Sequence, residues 1–262
     1  MKVTSDFHIH THRSVCAPKN GKNGAGDYVR YAKEIGLRKI GFADHFWDGC
    51  FPGANDFYKP QNFEHVATVR EELTALRGEG VSLFFGVEAE YDPYRHGVAL
   101  SEETAEQFDF VIVPNSHTHM MMPKELYTPY EKHAEFMVNA FREIVSSPVA
   151  RYITAIAHPF EAVGCPYDRS LLFDFISDDT FLHLFDLAAE AGIALELNTS
   201  CLCDRFDERR IRMFSLAKTC GCKFTFGSDD HSPNEHGTDY CGAAEYFAEQ
   251  IGLTESDLAK IC

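Results

Sequence analysis

Seven short apolar runs recur along the chain, and six of them lead into a histidine or a carboxylate. Val3–Ile9 carries His8 and His10 at its end, Lys39–Ala43 runs into Asp44-His45, and Val81–Val87 runs into Glu88. Phe110–Val113 leads through Pro114-Asn115-Ser116 to His117, Tyr152–Ala157 ends on His158-Pro159, and Cys222–Phe226 enters Gly227-Ser228-Asp229-Asp230-His231. The remaining run, Ile193–Leu197, ends on Asn198-Thr199-Ser200. Mostly helical spacers separate them, among them Asp27–Gly36, Asn62–Gly78, Glu125–Ser146 and Thr180–Ala191, while Gly49–Pro60 and Ala162–Asp178 read as loops or short capping helices. Short strands alternating with helices are the pattern of repeated βα units around a parallel sheet, here an α/β chain of (β/α) barrel type. In such a barrel the C-terminal ends of all strands meet on one face, so residues far apart in sequence converge there.

Length and composition bound the rest. With 262 residues and 45% hydrophobic content the chain can bury a sizeable core, and without a linker or low-complexity segment residues 1–262 read as a single domain. Lys and Arg number 24 against 40 Asp and Glu, a formal charge of −16 that disfavours long nucleic acid as a partner. The N-terminal MKVTSDFHIHTH has no apolar signal region and no stretch approaches a membrane span, which predicts a cytoplasmic protein with no membrane partner. Nine cysteines without an export signal point to reduced thiols. Cys201-x-Cys203 and Cys220-x-Cys222 lack zinc-ribbon spacing and read as packing thiols.

Neutral imidazoles and carboxylates are ligands for Zn, Mn or Fe. The set His8, His10, His45, Glu88, His117, His158, Asp229 and His231, with so few thiols, has the character of a catalytic site. A lone histidine at a strand end is more often a hydrogen-bonded structural group. Six strand ends of this kind together argue for metal, and eight donors suit two or three divalent ions if one carboxylate bridges.

His8-Ile9-His10-Thr11, Ala43-Asp44-His45, Gly86-Val87-Glu88, Asn115-Ser116-His117, Ala157-His158-Pro159 and Gly227-Ser228-Asp229-Asp230-His231 match, in order, the motifs of the PHP (polymerase and histidinol phosphatase) superfamily. Glu196-Leu197-Asn198-Thr199-Ser200 and the Gly-Ser-Asp-x-His-Ser-Pro of 227–233 resemble its histidinol-phosphatase branch. The resemblance implies a distorted seven-stranded (β/α) barrel and a trinuclear site. His8, His10, Glu88 and Asp229 would hold the first metal, and Glu88 would bridge to a second held by His117 and His158. His45 and His231 would hold the third with the residue eight positions after His8, where the family usually has His, Asp or Glu and this chain has Cys16. Cys16 reads either as a softer thiolate ligand favouring zinc or as a small buried thiol beside a weakened third site.

The same resemblance implies a metal-dependent phosphoesterase that hydrolyses a small phosphomonoester by a metal-activated hydroxide, with Asp229, Glu88 and His231 as catalytic residues. The other readings are a PHP-type phosphodiesterase, exonuclease or nucleotide phosphatase, and a non-catalytic metal-binding module. Exposed charges are screened beyond about 8 Å, so an acidic chain can still take a small phosphorylated metabolite. The branch often places a basic clamp soon after Asn-Thr-Ser; here Arg205 is the first, with Arg13 and Lys19 as further candidates. His12, which continues the His8/His10 alternation, reads as a residue supporting the ligands or facing substrate, or as a surface histidine, and Asn198 reads as substrate-facing. His119 competes with His117 for the ligand role, and the Ser-His order favours His117. His65, His96, His133, His183 and His236 read as surface or capping residues. Exposed apolar loops are compatible with a homo-oligomer.

Overall fold

A computed structural model describes residues 1–199, 208–235 and 239–261. Seven strands form one sheet in chain order: β1 (Ser5–Ile9), β2 (Lys39–Phe46), β3 (Ser82–Ala89), β4 (Phe110–Pro114), β5 (Ala155–Ala157), β6 (Ala194–Asn198) and β7 (Phe224–Gly227). Every neighbouring pair is parallel. The ring closes at its C-terminal end. The His8 carbonyl accepts from Asp229 N–H at 2.8 Å and the Asp230 carbonyl from His10 N–H at 2.9 Å. Tyr28 lies on α1 (Ala25–Ile35), and its hydroxyl reaches the His10 and Asp230 carbonyls, 2.9 Å each, pinning this seam. The expected distorted, TIM-like (β/α)7 barrel is the observed architecture, in nearly closed form.

Alternation along each strand sorts side chains between two cores. Ile40, Phe42 and Phe46 of β2, Phe85 and Val87 of β3, and Leu195 and Leu197 of β6 face outward, into the large cluster shared with the helices. Phe7, Ala43, Phe110, Ile112, Ala155, Ala157, Ala194 and the C-terminal Ile261 fill the barrel interior. The same parity sends His45, Glu88, Glu196 and Asn198 inward. Strand β1 departs from strict alternation: its register with β2 shifts between Asp6 and Ile9, so Phe7 and both His8 and His10 point inside while Ile9 points out. The Asp6 carboxylate accepts from the backbone N–H groups of His8 and Ser228, both at 3.1 Å, and holds this bulge.

The helices are α1, α2 (Thr68–Ala75), α3 (Tyr130–Val145), α4 (Asp178–Ala191), α5 (Glu208–Thr219) and α6 (Tyr240–Gln250), with shorter turns between. Several expected boundaries move. β2 continues through Asp44-His45 because its ladder with β3 runs unbroken from Lys39–Ser82 to Phe46–Ala89. β5 begins only at Ala155, since Ala150–Tyr152 is a 3₁₀ turn. The expected 62–78 helix splits at Ala67, where Arg70 N–H bonds the Ala67 carbonyl in a tighter turn. The expected 125–146 helix starts at Tyr130 because the extended Pro129 occupies its N-cap. A two-stranded antiparallel ribbon, Tyr91–Asp92 with Gly97–Val98, has no counterpart in the sequence reading. No helix among the described residues is long and apolar enough to cross a membrane.

His133 corrects a sequence expectation. It is fully buried on the inner face of α3, in register with Ala134, Met137 and Phe141, and not at the surface. Tyr127 stacks on its ring, and Nδ1 lies 3.1 Å from the Tyr167 hydroxyl. Burial depresses its pKa from the ordinary histidine value to about 4. The unfolded chain therefore binds a proton here first, and folding stability falls as pH drops from about 6.5 towards about 4. Urea unfolding should show wild type losing about 1–3 kcal/mol relative to His133→Phe between pH 7 and pH 4.5. Parallel pH profiles for the two proteins would contradict this.

Candidate metal centre

All eight sequence-selected donors other than Cys16 come together at the C-terminal mouth of the barrel. Four overlapping groups have ligand atoms within 4.8 Å of one another: His8–His10–Glu88, His8–His158–Asp229, His45–Glu88–His117 and His10–His45–His231. Glu88, 1% exposed, sits in the middle. Its oxygens lie 3.0 Å from His158 Nε2, 3.5 Å from His117 Nε2 and 3.6 Å from Nε2 of both His8 and His10. Asp229 Oδ1 stands 3.1 Å from His10 Nε2 and 3.5 Å from His8 Nε2.

The chain itself fixes which ring nitrogen faces the centre. His8 donates from Nδ1 to Glu196 Oε1 at 2.8 Å, and His117 from Nδ1 to Glu90 Oε2 at 2.8 Å. Ser14 Oγ donates to Asp44 at 2.8 Å and so must accept from His10 Nδ1 at 2.9 Å. His231 Nδ1 bonds the Asp229 carbonyl at 3.0 Å, and His158 Nδ1 pairs with Ser116 Oγ at 2.5 Å. With Nδ1 committed to a backing partner, each Nε2 is available as a ligand. His45 is turned the other way: its Nδ1 faces Glu88 Oε2 at 2.8 Å.

These contacts place imidazole lone pairs against carboxylate oxygens, which is repulsive unless cations lie between them. Protons can fill only part of that need. Burial would lower His8, yet the Glu196, Asp229 and Glu88 carboxylates outweigh it and raise its pKa well above the ordinary value. His10 goes well below, because burial is reinforced by the neighbouring His231 and His45. Burial opposes ionisation of Glu88, but the surrounding His117, His8 and His45 hold its carboxyl well below the usual range. His45 Nδ1 and Glu88 Oε2 are both buried and, despite their 2.8 Å separation, lack hydrogen-bonding geometry. Orphaned polar atoms of this kind, among nitrogen and oxygen donors, fit divalent metal ions.

The remaining candidates fall differently. Cys16 is exposed, not the buried thiol of one expectation, and belongs to none of the four groups; desolvation of its sulfur by the surrounding protein, with the Glu88 and Asp229 carboxylates, pushes its thiol up to about 12. His12 Nε2 and Arg13 both approach Glu72 of α2, at 3.6 and 3.5 Å. Asn198, expected to face substrate, is buried and donates to Glu196 Oε2 at 3.1 Å, so it backs His8 instead. His65 is half-buried with Nε2 2.8 Å from the Arg13 carbonyl, whereas His96 and His183 are exposed as expected. Arg205, Cys201, Cys203 and His236 lie outside the described residues. Cys222 is buried and Cys220 half-buried, as packing thiols should be.

Sequence reasoning missed the backing residues Glu90, Glu196, Ser14, Asp44 and Ser116, and Tyr58, whose hydroxyl donates to Glu90. Inward parity on β6 was the available signal for Glu196. Its reach depends on Gly227, where a Cβ would stand 2.0 Å from Glu196 Oε1 and 2.5 Å from His8 Cβ.

The PHP domain family model matches residues 6–200. The chain belongs to the PHP domain family. A protein of Acetivibrio thermocellus described as a probable phosphatase is 28% identical over 239 residues, covering 90% of this chain and 83% of its own. Among solved structures, the histidinol phosphate phosphatase of Lactococcus lactis, determined with zinc, L-histidinol and phosphate, superposes with a TM-score of 0.71 at 21% identity, covering 98% of both chains. At that identity the likeness is one of fold.

If Glu196 sets the His8 tautomer in this PHP chain, Glu196→Ala should weaken metal binding about 10–100-fold with folding retained, and Gly227→Ala should act in the same direction. Competition with a chromogenic chelator measures this. Unaltered affinity in Glu196→Ala would show that the backing contact is dispensable.

Proposed function

We propose that the chain is a metal-dependent phosphomonoesterase for a small phosphorylated metabolite, with histidinol phosphate as the first substrate to test. The observation that carries this reading is Glu88, buried and ringed by imidazoles whose ligand nitrogens face it, with its Oε2 and His45 Nδ1 left without hydrogen bonds. Family membership, the probable-phosphatase relative and the fold shared with a phosphatase solved with zinc, L-histidinol and phosphate support it.

In this reading His8, His10, Glu88 and Asp229 would hold one ion, and Glu88, His117 and His158 would hold a second. His45 and His231 would hold a third; Cys16, exposed and outside the four donor groups, is not placed with them. Bound Zn, Mn or Fe would supply Lewis acidity, lowering the pKa of water and offsetting charge on phosphate oxygens. Asp229 and His231, each with a side chain 19% exposed, are the ligands that face incoming substrate, whereas Glu88 is enclosed. Imidazoles hold the Asp229 carboxyl well below its usual range against the opposing effect of burial, so it is ionised and suited to ligation. Arg13 is engaged with Glu72, so Arg205 and the exposed Lys19 are the proposed basic clamps.

Metal-stripped protein should be inactive and recover on reconstitution with Zn, Mn or Fe. The reconstituted enzyme should favour histidinol phosphate over a nucleoside monophosphate, an aryl phosphate and a phosphodiester by at least about a hundredfold in kcat/KM, a gap of about 2.7 kcal/mol in transition-state binding. His117→Ala should lower kcat by about a thousandfold or more, on the scale of losing a centre that stabilises transition-state charge. Preference for the diester would replace the phosphomonoesterase reading, and metal binding without turnover of any ester would reduce the chain to a metal-binding module.

A further inference from the structure

His119 is the ring at the mouth that the metal centre leaves unused. It lies outside all four donor groups and is exposed, while His117 and Thr118 before it are buried. Its ring stands edge-to-face on His117, with centroids 5.8 Å apart and planes at 81°. His119 Nδ1 donates to the Val163 carbonyl at 2.8 Å, which makes Nε2 the lone-pair nitrogen, and Nε2 has no hydrogen-bond partner among the described residues.

The loop that receives His119 is held in place at a cost. His158, Phe160 and Ala162 have φ of 28°, 62° and 43°, and Gly164 follows at 75°. Non-glycine residues in this region persist only where their surroundings over-determine them. Phe160 N–H bonds Asn115 Oδ1 at 3.1 Å, Val163 N–H bonds the Ser116 carbonyl at 2.9 Å, and Glu161 is locked from behind in a buried two-point ion pair with Arg210 of α5, both contacts 2.7 Å. A Cβ on Gly164 would lie 2.4 Å from His119 Cβ and 2.5 Å from Cγ. The loop after β5 thus leaves a recess against which the His119 ring packs, with Nδ1 fixed on the Val163 carbonyl and the ring edge-to-face on His117.

We infer that His119 is a substrate-contacting residue whose Nε2 accepts a hydrogen bond from an amino or hydroxyl group on the organic portion of the phosphomonoester. This rests on the phosphomonoesterase reading above and adds to it a required feature of the leaving alcohol: a hydrogen-bond donor. Esters lacking that donor forgo this hydrogen bond and are turned over less efficiently.

The test uses the metal-loaded full chain with two matched pairs: L-histidinol phosphate and its deamino analogue, and 2-aminoethyl phosphate and n-propyl phosphate. Wild type should favour the amino member of a pair by roughly tenfold or more in kcat/KM, the scale of one hydrogen bond to a polar or charged group. His119→Phe should collapse that ratio to within about threefold of one with metal content unchanged, and Gly164→Ala should do the same by displacing the ring. The double variant should be no worse than His119→Phe, because both changes remove one contact. An equal rate on both members in wild type, or a ratio that survives His119→Phe, overturns the inference; equal loss on both members assigns the ring to buttressing His117 and also overturns it. Wild type that hydrolyses an aryl or nucleoside phosphate but no member of either pair overturns the inference alone, whereas wild type that hydrolyses none of these monoesters overturns the phosphomonoesterase reading itself.

Discussion

The carboxylate of Glu88 faces imidazole lone pairs from four other strand ends, and the rest of the molecule is arranged around that unfavourable meeting. A buried carboxylate is costly without compensation, and neutral imidazoles cannot compensate it with their lone pairs turned inward. Protons would satisfy one or two of the rings before mutual repulsion stopped further charging, as the opposite directions of His8 and His10 show. Divalent ions would resolve the conflict for all of them at once. The backing layer has the same logic, since Glu196, Glu90 and the Ser14–Asp44 pair each take the outer ring nitrogen and leave the inner one for metal.

The barrel makes this possible by being thin-walled inside. Alanines on β2, β5 and β6 occupy interior positions, and the volume is taken by Phe7, Phe110 and Ile112 below and by the ligand rings above. The bulge in β1 is the local price: without its register shift, Phe7 and His8 would alternate across the wall and the His8/His10 pair would face the helices. Closure of β1 on β7 then brings Asp229 and His231 beside His10, whose ring stacks on that of His231 at 4.3 Å.

Much of this was legible in the sequence because strand ends are where a barrel concentrates its polar residues. Short β-branched runs, six of them leading into His, Glu or Asp, marked the seven strands and the eight donor positions, although His45 and Glu88 lie within β2 and β3 and not past their ends. The backing residues were not legible, since a serine or glutamate that bonds an imidazole has no spacing signature and depends on contacts such as Glu196 to His8, 188 residues apart. His133 misled because one polar ring on an amphipathic helix looks like its exposed face until Tyr127 and Tyr167 fold over it. Cys16 was placed by counting eight residues from His8, and counting cannot show that the loop carrying it opens to solvent.

The central claim is that Glu88 is shared between metal ions, and metal content per chain tests it most directly. Protein stripped with chelator, reloaded with zinc and dialysed should carry two to three ions by elemental analysis, and Glu88→Gln, folded by circular dichroism, should carry at least one fewer. One ion or none in wild type, or the same content in Glu88→Gln, would contradict the account.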